Sequence, residues 1–145
     1  KRDKFLEIGG FDEHFKPPVA YRFETEFAKR VIRNGGRILF WPAASINHLA
    51  AKSGGTRSRG SHLTSASPIH GIGDYYYALS CGSGAERFFY MLKRPFREVC
   101  TKFHLKHPWF IPVKFIGEIL AMINAIKLYG RGPKFLSTEH LKSKG

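Results

Sequence analysis

The sequence predicts an α/β piece followed by a basic helical tail. Three observations predict it. A helix-period run extends from Phe23 to Asn34, an apolar run from Arg37 to Trp41 is closed by Pro42, and a long apolar run fills 113 to 129. The first two alternate as helix and buried strand do. The third has helical length and no proline.

The elements follow in chain order. Residues 2 to 8 predict a short helix that ends in the turn Gly9-Gly10. Phe11 to Pro18 is a loop, because Pro17 and Pro18 forbid regular helix. In the next helix Phe23, Phe27 and Val31 line one face, and Gly35-Gly36 is a C-terminal stop. Arg37 to Trp41 reads as a strand of buried type, and Ser45 to Leu49 as a second short extended piece. Lys52 to Ser67 is rich in Gly, Ser, Thr and Arg and reads as a mobile loop. Asp74 to Ser80 and Ala85 to Lys93 read as helices joined by the turn CGSG. Pro95 is expected to interrupt the second, with helix resuming from Phe96 to His104. The domain plan is 1–60 as the α/β part, 61–84 as loop and short helix, and 85–145 as the tail.

A chain of 145 residues with 43% hydrophobic and 14% aromatic residues is about one domain and can bury a core. The net charge is +13, and residues 86 to 145 hold 12 basic against 4 acidic residues. Such a surplus favours phosphates or anionic lipid. Nucleic acid is the weaker partner, since no RNA-binding signature or recognition helix stands out. Cys81 and Cys100 lack metal spacing and read as two free thiols of a reducing compartment.

The candidate chemistry lies in FLEIGGFDEHF, RFETEFAKRV and WPAASINHL. Gly9 and Gly10 allow close backbone approach, Glu24 and Glu26 offer carboxylates at a helix start, and His48 follows an apolar run. In order and spacing, these segments resemble the C-terminal half of the catalytic domain of family 2 glycosyltransferases. The resemblance covers roughly residues 2 to 60: Arg2 to Phe5, Gly9 to Glu13, Phe23-Glu24-Thr25-Glu26, Arg30, Gly35-Gly36, Pro42 and His48. It implies a partial GT-A fold, the nucleotide-diphospho-sugar transferase fold, without its N-terminal nucleotide-binding half. No Asp-x-Asp occurs in the chain, which begins mid-pattern at KRDKFLEIGG without a signal peptide. The expectation is therefore a fragment of a larger enzyme, inactive alone. The chain departs from the family at Phe23-Glu24, where an acidic pair is usual, and it lacks the QxxRW motif of processive synthases.

The resemblance implies an inverting hexosyl transfer from a nucleotide-sugar donor to a glycan or lipid-linked acceptor, in cell-surface glycan or polysaccharide synthesis. An acceptor hydroxyl is a weak nucleophile and needs a carboxylate base. Glu24 maps to that base, while Gly9, Gly10, Asp12, Glu13 and Glu26 map to the acceptor and sugar side. His48 maps to a metal ligand for Mg2+ or Mn2+, whose other ligands would lie in the nucleotide-binding half. Arg57 and Arg59, in a flexible stretch, suit diphosphate oxygens. His62 and His70 carry no comparable pattern.

The helix at 113 to 129 is apolar around most of its circumference, with Lys114, Gly117, Glu118, Ala121, Asn124 and Ala125 as a narrower polar or small stripe. Trp109, Phe110 and Tyr129 stand at its ends. Its charges disfavour crossing a membrane, and its basic flanks favour lying in the interface of an anionic one. The expected location is cytoplasmic, peripheral at the membrane face. The competing classes are a non-catalytic membrane-associated scaffold and a basic nucleic-acid-binding module.

Overall fold

The structure is a computed structural model, and it describes residues 2–16, 19, 21–45 and 61–136. Its regular elements are α1 (Arg2–Glu7), a 3-10 turn at Glu13–Phe15, α2 (Phe23–Arg33), a 3-10 turn at Pro68–His70, α3 (Ile72–Cys81), α4 (Gly84–Val99), α5 (Lys102–Lys106) and α6 (Phe110–Gly130). No strand occurs among the described residues.

The α/β GT-A expectation is thereby corrected: the described chain is helical. The predicted strand at 37–41 is irregular, and Phe40 is 88% exposed. A strand needs a neighbouring strand to satisfy its N–H and C=O groups, and the described residues supply none. An apolar run signals a demand for cover but does not provide the cover. Helix α2 accordingly packs on α3 rather than across a sheet. Most of the predicted piece at Ser45 to Leu49, and of the loop at Lys52 to Ser67, lies outside the described residues.

Helix α2 ends as the sequence predicts. The Gly36 N–H donates to Val31 C=O and the Gly35 N–H to Ile32 C=O, the paired bonds of a Schellman stop. Gly35 has φ 74°, a conformation glycine adopts without strain.

Helix α3 is central. It packs against α6, α4 and α2, and its Tyr75 and Tyr76 are fully buried. Phe15, Val19, Ile72, Ala121 and Ala125 complete the core. Buried phenol groups need partners. Tyr75 donates to Glu118 at 2.9 Å and Tyr76 to Asp12 at 2.6 Å. Burial, followed by the adjacent carboxylates, raises both phenols well above their ordinary pKa, which keeps them donors.

Helix α4 does not break at Pro95 as expected. It runs from Gly84 to Val99, with Pro95 buried inside it. Proline removes one helix bond and disfavours helical geometry at the residue before it. Here that residue is Arg94, whose side chain is held by ion pairs to α3 and α6, and tertiary packing overrides local preference. The helix starts at a capping box: Glu86 N–H donates to Ser83 Oγ, and Ser83 N–H to Glu86 Oε2. Thr101 caps α5, and the buried His104 ring is spanned by Thr101 and the Leu63 carbonyl. Both cysteines are free, Cys81 buried and Cys100 exposed.

Helix α6 turns its polar and small stripe inward. Lys114, Gly117, Glu118, Ala121 and Ala125 are its buried residues. Small side chains allow close approach there: a Cβ on Gly117 would lie 3.0 Å from the Ala66 backbone, and Ala121 lies against Gly71 at the start of α3. The two charges enter a buried network. Arg94 reaches Asp74 at 3.1 Å and Glu118 at 3.1 Å, Lys114 reaches Glu118 at 2.7 Å, and Arg22 reaches Asp74 at 2.8 Å. With Glu98, three cations meet three carboxylates. Burial lowers the Arg94 pKa, but Asp74 and Glu118 outweigh that, so the net shift is upward and the guanidinium stays charged.

Candidate functional site

The carboxylates of the FETE segment separate in space. Glu26 is buried and paired with Arg30, one turn on, through both oxygens. The same guanidinium donates to the carbonyls of Ile8 and Gly10, and lies 4.3 Å from the Phe135 ring centroid. Glu26 therefore acts through Arg30 as a clamp between α2 and the glycine turn. Phe5, Phe11, Phe23 and Phe27 cluster beside it, mostly edge to face, with contacting ring centroids 5.0 to 5.3 Å apart.

Glu24 is exposed in the first turn of α2 and makes no hydrogen bond or ion pair among the described residues. The residue that opens this turn, Arg22, has φ 74°, a left-handed conformation unusual for a side chain of its size. Its bond to Asp74 on α3 and its position over the Tyr21 and Tyr77 rings hold it there. Strain of this kind gathers at functional positions.

The glycine turn meets its own chain. Leu136 N–H donates to Gly9 C=O, and Glu13 N–H to Lys134 C=O. Asp12 is buried and accepts from the backbone of His14 and of Lys134 and from Tyr76, with the His14 ring at 3.1 Å. Its oxygens are thus occupied within the protein. Glu13 pairs with Lys16 at 3.0 Å and Lys134 at 3.1 Å, and hydrogen bonds from these two lysines hold its carboxyl below the usual range. A cleft of about 310 Å³ opens beside the turn, lined by Phe11, Phe15, Phe23 and Leu136 with Asp12, Glu13 and Lys16. Glu24 is not part of its lining.

The close approach at Gly10 gives a stability prediction. Its φ is 65°, and a Cβ there would lie 2.6 Å from Leu136 Cδ1. Gly10→Ala is expected to lower the denaturant unfolding free energy by about 1–3 kcal/mol through strain and the displaced segment. An unchanged midpoint would show that the 134–136 segment does not seat on the turn.

His48, Arg57 and Arg59 lie outside the described residues. Among the described residues no group of three or more His, Cys, Asp or Glu could hold a metal ion. His62 and His70 lie with ring centroids 6.4 Å apart.

The residues that reading by motif missed are those of the charge network and the Asp12–Tyr76 pair. Polar residues on an otherwise apolar helix were the available signal for Lys114 and Glu118. Asp12–Tyr76 joins positions 64 apart in sequence and leaves no local signal.

Comparison with protein-family models, curated proteins and solved structures gives no match. No helix among the described residues is long and apolar enough to cross a membrane.

Proposed function

We propose that this chain is the acceptor-side part of an inverting glycosyltransferase, with Glu24 as the general base. The observation that carries this reading is Glu24: an exposed carboxylate in the first turn of α2, without a partner among the described residues, at the position where the resemblance to family 2 glycosyltransferases puts the base. The reading rests on these residues and their order, not on the fold. Glu24 would take the proton from the acceptor hydroxyl as it attacks the anomeric carbon of the donor sugar, while the bond to the nucleoside diphosphate breaks. Glu26 positions the helix through Arg30. The divalent cation that the resemblance implies, Mg2+ or Mn2+, would neutralise the leaving diphosphate when bound; His48 would be its ligand in this chain, and Arg57 and Arg59 would contact the diphosphate oxygens.

The proposed location is peripheral, at the cytoplasmic face of a membrane, where a glycan or lipid-linked acceptor is accessible. The exposed apolar residues of α4 and α6 support it. The same residues favour a second reading, a non-catalytic membrane-associated scaffold. The two differ in turnover. The test uses the protein that carries both this chain and the implied nucleotide-binding half. Acceptor-dependent release of nucleoside diphosphate, lost in Glu24→Gln, supports the enzyme. Membrane binding without release from any nucleotide sugar supports the scaffold.

A further inference from the structure

The polarity of α4 and α6 is inverted. Arg94, Lys114 and Glu118 are buried, whereas Phe88, Phe89, Leu92 and Phe96 on α4 and Ile116, Leu120 and Ile123 on α6 are exposed. An amphipathic helix on a water-facing surface shows the opposite arrangement. Single exposed apolar residues need no explanation, but a contiguous set that includes three phenylalanines does.

The two helices run antiparallel. Near one end Arg87 donates to the Tyr129 hydroxyl at 3.0 Å, and near the other the Phe96 and Phe115 rings meet at 5.8 Å. Both helices pack on α3, and their apolar stripes lie opposite the side that carries the buried charges. On α6 the stripe from Ile116 to Ile126 is about 15 Å long. Trp109 precedes α6 and Tyr129 lies in its last turn, positions that aromatic residues favour at a membrane interface.

Charge selects the occupant. Lys93, Lys102, Lys106, Lys127 and Arg131 are exposed around the stripes. From residue 84 to 136 the exposed carboxylate is Glu86 alone; Glu98 is half-buried and ion-paired, and Glu118 is buried. A basic rim around an apolar face matches anionic headgroups over acyl chains. A second copy of this chain would set basic rim against basic rim.

We infer that the α4–α6 face is the surface by which this protein lies on an anionic phospholipid bilayer, with Phe89, Leu92, Leu120 and Ile123 entering the acyl boundary. This rests on the peripheral-membrane reading above and is independent of glycosyl transfer.

The test is co-sedimentation of the whole chain with vesicles of phosphatidylcholine alone or mixed with phosphatidylglycerol. Wild type binds the anionic vesicles more tightly than the neutral ones. The double substitution Phe89→Glu, Ile123→Glu lowers binding by roughly tenfold or more, because each acid replaces apolar contact. The exposed substitutions Lys93→Gln, Lys102→Gln and Lys106→Gln together abolish the preference for anionic vesicles, and they test the rim even if the double variant loses its helical circular dichroism. Wild type that binds no vesicle overturns both this inference and the membrane reading. Wild type that binds, with a folded double variant binding equally, overturns the face alone. A concentration-dependent dimer without vesicle binding assigns the face to a second copy and overturns the inference.

Discussion

Arg94→Met is expected to destabilise the fold by about 3–5 kcal/mol, because it leaves Asp74 and Glu118 buried without their shared cation. Methionine keeps most of the apolar volume, so the loss is chiefly electrostatic. Lys114 and Tyr75 still serve Glu118, and Arg22 still serves Asp74, which places the effect toward the lower end of that range. A small domain has about 5–15 kcal/mol of stability, so this is a large fraction of it. Denaturant unfolding followed by circular dichroism reads the effect directly. A change below roughly half a kcal/mol, the scale of surface substitutions, would show that the network holds α3, α4 and α6 together by packing alone. Replacing the full set of buried charges by apolar residues of similar volume should cost far less, since no charge is then left unpaired.

Glu24→Gln is expected to lower turnover by about 10²- to 10⁴-fold in the protein that carries both halves, with donor binding nearly unchanged. Glutamine has nearly the shape of glutamate but accepts no proton at neutral pH. Glu24 is exposed and unpaired among the described residues, so its replacement should leave the fold intact. That separates it from Glu26, whose loss would release the Arg30 side chain and loosen its hold on the glycine turn. Turnover within a few fold of wild type would remove the base from Glu24.

The helices were legible where local chemistry writes them. The apolar period of Phe23, Phe27 and Val31 gives α2, and Gly35-Gly36 stops it. The long apolar run gives α6. Ser83 with Glu86 spells a capping box, yet CGSG reads as a plain turn when the glycines are weighed first. Ile38 to Trp41 misled for a physical reason. An apolar β-branched and aromatic run has strand propensity, but a strand exists only with a partner, and propensity cannot say whether one is present. Pro95 misled in the opposite sense, because the ion pairs of Arg94 are tertiary and outweigh the local break.

The candidate site was legible only in part. Glu24 and Glu26 are equally acidic in sequence and two residues apart, but that spacing turns them to different sides of α2. One stays in solvent and the other meets Arg30. The glycines were legible as a place of close approach. What approaches is this chain's own Phe135 and Leu136, a contact across more than a hundred residues that leaves no local mark.

The central claim is transfer with a single carboxylate base, and the stereochemistry of the product tests it most directly. The protein carrying both halves is incubated with α-linked nucleotide sugars and an acceptor, and the new anomeric proton is followed by nuclear magnetic resonance as it forms. The account predicts a β-linked product, because one base delivers the acceptor from the face opposite the leaving group. An α-linked product, or no transfer from any nucleotide sugar, would contradict it.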